Sequence, residues 1–137
     1  MYEIFEHTAD LGLRVEAPDL ESLLTEAARG LFSIIVENLD DVRPTRRMAF
    51  DIPGDDPPYL LFDWLAELLY LFDARHVVLR DFKVRIAAGE GLRGEAWGEP
   101  LDRERHRLDH EVKAITYHEL DVSRTENGWQ AVVIVDI

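Results

Sequence analysis

Leu20, Leu23, Leu24, Ala27, Ala28, Leu31, Phe32 and Ile35 follow one another at alternating steps of three and one. That spacing lines one side of an α-helix with apolar groups. A stripe this long must be covered by another element, so the chain needs a partner layer. Asp19, just after Pro18, is placed to cap the helix by accepting its orphan N–H groups. Glu21 adds negative charge near the positive end of the helix dipole. The helix is expected to run to about Glu37 and to stop at Asn38.

A second helix is expected from about Pro58 to Ala74, after the Pro53–Pro58 turn. Leu61, Leu65, Leu68, Leu69 and Phe72 form its stripe, widened by Tyr59, Phe62 and Trp64. With that width it should be the more buried of the two. Asp63 and Glu67 share a face. They could hold a cation, but no third ligand accompanies them, and two solvated carboxylates are the plainer reading.

The partner layer comes from stretches of period two. They are Tyr2–Glu6, Leu11–Ala17, Val42–Ile52, Val77–Ala88, Leu92–Gly98, Val112–Ser123 and Trp129–Ile137. His7 to Asp10 breaks the first pair, and Gly12 marks a bend or bulge. Gly89–Gly91 and Asn127-Gly128 are hairpin signals. AVVIV, at 131–135, lacks clean alternation and suits a central strand covered on both faces. Leu92–Gly98, poor in β-branched residues, is the weakest strand. Glu99–Asp109 is polar, of mixed charge, and reads as a surface loop. The fold class is therefore α+β. A mixed or antiparallel sheet of about seven strands packs on two amphipathic helices, in one domain over residues 1–137.

Charge restricts function. The net charge is −13, from 28 acidic and 15 basic residues. That disfavours direct nucleic-acid binding, which needs clustered cations. It suits a partner with a basic face, or a bound cation. Arg43, Arg46 and Arg47 form the most basic patch, read as edge-strand protection in preference to a contact with RNA or an acidic partner. There is no cysteine, so thiolate zinc sites and cysteine nucleophiles are out. The amino terminus lacks the pattern of a signal peptide. No run approaches the roughly 18 apolar residues of a membrane span, and a soluble, cytoplasmic protein is the simplest reading.

The informative polar group is His7, Asp10, Asp136 and the carboxylate of Ile137. The last strand carries Asp136 and Ile137 to one end, and chain termini often lie close together. Such an oxygen set suits a hard cation such as calcium or magnesium. His7 would serve beside it, or as a ligand to a softer metal. Lys113, one of two lysines with Lys83, stands in a strand that does not itself require it, and a solvated residue is the plain reading. His106, His110 and His118 fit no common zinc spacing. The glycines from Gly89 to Gly94 lie between strands, where no helix follows to make a phosphate cradle.

Three stretches together resemble the archease family. They are FEHTADLGLRVEA at 5–17, FDWLAELLYLFDA at 62–74, and GEPLDRERHRLDHEVKAITYHELDV at 98–122 followed by a closing VVIVDI. The resemblance spans essentially the whole chain. It implies that Asp10, Asp136 and the terminal carboxylate of Ile137 bind a divalent metal, with calcium the usual assignment, and that Lys113 is functional. It implies an accessory protein with no catalysis of its own. Its partner would be an RtcB-type RNA ligase, which seals tRNA halves using GTP and manganese. The family promotes guanylylation of that ligase and multiple turnover, so RNA, GTP and manganese would be met through the ligase. The loop at 99–109 is richer in arginine than the family pattern. Two rival readings stand beside this one: a stand-alone metal-dependent phosphoester hydrolase, and a metal-independent, chaperone-like adaptor.

Overall fold

The computed structural model describes residues 1–7 and 9–137; Thr8, within the His7–Asp10 motif, lies outside the described residues. Eight strands and two helices follow the order β1 (Tyr2–His7), β2 (Asp10–Ala17), α1 (Leu20–Ile35), β3 (Arg46–Ile52), α2 (Pro57–Arg75), β4 (Val77–Ala87), β5 (Gly91–Pro100), β6 (Ala114–Ile115), β7 (Asp121–Thr125) and β8 (Gly128–Asp136). The fold is α+β, as the sequence suggests, but its strands divide between two sheets. One has the order β1-β2-β8, with β6 and β7 sharing the far side of β8; the other has the order β3-β5-β4. All strand pairings described are antiparallel.

Helix α1 begins where its cap predicts. The Asp19 carboxylate accepts the Ser22 N–H at 2.7 Å. It ends at Ile35, two residues early, because Val36 turns extended and bridges to Leu108. Both helices touch both sheets: α1 packs on β1, β2, β8 and β4, and α2 on β6 and β7 as well as β3, β4 and β5. One apolar core therefore joins the layers. The relative burial of the helices reverses the expectation. Nine residues of α1 are buried against seven of α2, which leaves Tyr59 and Tyr70 in solvent. A helix held between two sheets can bury more than one stripe.

Trp64 of α2 anchors the middle. It is fully buried, its indole N–H donates to the Leu24 carbonyl at 3.0 Å, and its ring meets Phe50 and Phe82 edge-on. Gly94 of β5 lies beneath it. A Cβ there would come within 2.6 Å of the Trp64 ring. The low β-propensity of Leu92–Gly98 is thus a packing requirement. Strand β5 is long and central, paired on both sides.

Gly12 makes no bulge. It stays in register between Phe5 and Ile134, and the Phe5 ring occupies the space of a Cβ. Strand β3 starts at Arg46, four residues after the expected start, and is an edge strand as its arginines suggested, with Arg47 bonded to Glu95 at 2.7 Å.

The largest departure is Val112–Ser123. It is two strands, β6 of two residues and β7 of five, separated by a turn. Thr116 breaks the ladder: its hydroxyl donates to the Ile134 carbonyl at 2.8 Å and accepts the His118 N–H at 3.2 Å. Leu120 N–H closes the turn on the Tyr117 carbonyl, and Glu119 takes a left-handed φ of 53°.

The loop after β5 is pinned rather than free. His106 is buried. It accepts the Asp102 N–H on Nδ1 and faces Glu99 through Nε2 at 3.0 Å. Burial raises the Glu99 pKa, but hydrogen bonds from the Arg43 N–H, Arg105 and His106 outweigh it and hold the group at about 2. A lowered folded-state pKa stabilises the fold above the ordinary 4.5, and that contribution is lost as pH falls through about 2. Replacing Glu99 by alanine should cost about 1–3 kcal/mol at neutral pH. In denaturant titrations the gap from wild type should narrow between pH 5 and about 2.

Candidate functional site

The alternation of β2 and β8 sorts their side chains. Leu11, Leu13 and Val15 of β2 and Val133 and Val135 of β8 enter the core. The residues between them therefore point to the other, outer face of the sheet, where Ile134 is itself covered, since neighbouring strand residues point to opposite faces. At one end of the sheet the register aligns His7, Asp10, Asp136 and Ala114 in a single outward rank across β1, β2, β8 and β6. Residues directly opposite on antiparallel strands have Cβ atoms about 4.5–5.5 Å apart.

The pairing of Asp10 with Asp136 is the unusual member of that rank. Two carboxylates directly opposite each other repel. No cation appears among their ion-pair contacts in the described residues. Both are half-buried, and Ile137 follows directly. Lys113, exposed, donates its backbone N–H to the Asp136 carbonyl at 2.7 Å. Three of the residues singled out in the sequence, Asp10, Asp136 and Lys113, thus meet at one end of β8, with Ile137 next in the chain. The carboxylates of Asp10 and Asp136 could hold a calcium-like ion: their donors are all oxygen, they carry excess negative charge, and a cation would relieve the repulsion between the strands.

The other candidates disperse. His106 is sealed under its loop, and His110 is exposed beside Asp109 at 3.7 Å. Asp63 and Glu67 are solvated on α2.

His118 goes elsewhere. The Tyr117–Leu120 turn brings it over the outer face of the sheet. There its ring centroid lies 5.2 Å from that of His7, and Glu119 Oε2 lies 3.3 Å from His7 Nε2. His7, His118 and Glu119 form a compact set of donors. No sequence spacing announced it, because it depends on the turn cut into the expected strand and on a contact between residues over 100 positions apart. The one available signal was His7, which the sequence offers beside the aspartates or as a ligand to a softer metal.

Exposed aromatics border this end. Tyr117 stacks on Phe62 at 3.8 Å, with Tyr59 edge-on at 6.2 Å. Among the described residues no helix is long and apolar enough to cross a membrane.

Architecture and site together define an α+β protein of two antiparallel sheets and two helices, with a carboxylate-rich end on the larger sheet. Comparison with known proteins places that class. The family model for the archease protein family matches residues 2–137. The archease of Pyrococcus furiosus is 41% identical, covering 99% of this chain and 98% of that protein. That of Methanopyrus kandleri is also 41% identical, covering 99% of each. A solution structure from Methanobacterium thermoautotrophicum superposes with a TM-score of 0.86 at 33% identity, covering 99% of this chain and 98% of that one. A crystal structure from Thermotoga maritima, described as an archease and possible chaperone, shares the fold with a TM-score of 0.70 at 20% identity, covering 100% and 98%. The chain belongs to the archease family.

Proposed function

We propose that this chain is an accessory factor that activates an RtcB-type RNA ligase, promoting its GTP-dependent guanylylation and multiple turnover, and that it acts through the end of β8. The observation that supports this reading is the cross-strand opposition of Asp10 and Asp136 beside Lys113. A calcium ion held by Asp10, Asp136 and the Ile137 carboxylate would offer the ligase site a positive charge for phosphate oxygens. Lys113, whose backbone N–H bonds the Asp136 carbonyl, brings an ammonium to the same end of the strand, and an ammonium is a strong donor to phosphate. The strands hold these groups rigidly, so little ordering is needed on docking. The net charge of −13 speeds encounter with a basic RNA-binding cleft, and added salt slows it.

The test is ligation of tRNA halves by a cognate RtcB-type ligase with GTP and manganese, with this protein at catalytic amounts. Wild type should raise multiple-turnover yield. Asp136→Ala and Lys113→Ala should each lose at least about tenfold of that stimulation. Stimulation that survives Asp136→Ala points to a metal-independent adaptor. Phosphoester turnover by the protein alone, without ligase, points to a hydrolase. No stimulation by folded wild type overturns the ligase reading itself.

A further inference from the structure

We infer that His7, His118 and Glu119 form a second cation site, for a first-row transition ion such as zinc, distinct from the oxygen site at Asp10 and Asp136. It goes beyond ligase activation and does not depend on it.

Four observations converge on this set. One ligand atom from each residue lies within 4.8 Å of the others. His7 Nε2 and Glu119 Oε2 are 3.3 Å apart. A tetrahedral ion with bonds of about 2.0–2.1 Å sets its ligand atoms about 3.4 Å apart, so these two already stand at a coordination edge. His118 offers a ring nitrogen within 4.8 Å of the ligand atoms of the other two. The His7 Nδ1 atom is buried with no hydrogen-bond partner among the described residues. No group among the described residues engages Nδ1, so the ring can carry its proton there and offer Nε2 unprotonated to an ion. Glu119, finally, is held at a left-handed φ of 53°. A non-glycine residue is disfavoured in that conformation, and Glu119 holds it in the turn from which its carboxylate meets His7.

An ion pair between His7 and Glu119 would account for their distance alone. It gives no reason for His118 to join them at 5.2 Å.

Donor chemistry separates the two sites. Two imidazoles and one carboxylate favour zinc, cobalt, nickel or copper over calcium and magnesium, which prefer oxygen. The rank His7–Asp10–Asp136 sets the sites side by side on one sheet face. Three protein ligands leave a fourth position for water or for a donor from a bound partner.

The experiment uses purified full-length protein and cobalt(II) as a spectroscopic probe, with calcium in excess to fill the oxygen site. Wild type should take up one equivalent of cobalt with the intense visible bands of a tetrahedral nitrogen–oxygen site, and zinc should displace it. His118→Ala, at an exposed position, should weaken cobalt uptake by at least about tenfold and leave the calcium-dependent melting shift unchanged. Glu119→Gln should behave alike. Asp136→Asn should lose the calcium response and keep the cobalt spectrum. The inference is overturned if folded wild type shows only the aquo-ion spectrum. It is overturned equally if excess calcium displaces cobalt, or if Asp136→Asn abolishes uptake, since the histidines would then belong to one mixed site. Loss of ligase stimulation alone bears on the proposed function and not on this site.

Discussion

Truncating Trp64 to alanine will cost the fold about 3–5 kcal/mol, the usual toll for deleting a large buried aromatic. Three losses combine. The ring is fully buried between the two layers, so its removal leaves a cavity that the rigid sheets cannot close. The edge-on contacts with Phe50, at 5.3 Å, and Phe82, at 6.3 Å, disappear. The Leu24 carbonyl loses the indole N–H that links α2 to α1. Gly94 cannot help, because it was shaped to leave room for the ring. Chemical denaturation should show a lower midpoint with an unchanged slope. Trp64→Phe, which keeps an aromatic ring, smaller than the indole, but not the donor, should recover more than half of the loss. A cost below about 1 kcal/mol for the alanine variant would mean that the two helices are not coupled through this residue.

The helices were legible because their signals are local. Asp19 as a cap and the three-and-one spacing of α1 depend on neighbours within a few positions. The hairpins at Gly89–Gly91 and Asn127-Gly128 were legible for the same reason. Burial was harder to read. The wide stripe of α2 suggested the deeper helix, yet α1 is deeper because it is held between sheets, and which strands flank a helix is not written in its own periodicity. Alternation from Val112 to Ser123 looked continuous because a turn that keeps period two on both sides leaves the pattern intact. The bond from Thr116 to Ile134 that breaks it is long-range. Likewise, the shortage of β-branched residues in β5 reads as weakness until the Trp64 ring explains why Gly94 can carry no side chain.

The site divides in the same way. Asp10 and Asp136 could be grouped because one follows a break near the start and the other closes the last strand. The register then sets them opposite each other. The site of His7, His118 and Glu119 was out of reach, since His118 was weighed with His106, which serves the loop, while His7 was grouped with the aspartates.

The opposed carboxylates give the second large effect, and it should change sign with calcium. In chelator, wild type carries the Asp10–Asp136 repulsion, so Asp136→Asn should be more stable by about 0.2–1 kcal/mol. Calcium reverses the order. An ion that binds only the folded state adds RT ln(1 + [L]/Kd), about 2.7 kcal/mol at a hundredfold excess over Kd. Wild type gains this term, and the asparagine variant, which has lost a charged ligand, gains little of it. Melting curves of the two proteins, with chelator and with calcium, should therefore cross. Asp10→Asn should reproduce the crossing, because loss of either carboxylate removes both the repulsion and the site. A solvated surface pair behaves differently: both variants would then melt with wild type under each condition, and the end of β8 would be a docking surface that works without a cation. The crossing can be seen without any ligase, so it tests the cation at Asp10 and Asp136 apart from the partner it is proposed to serve.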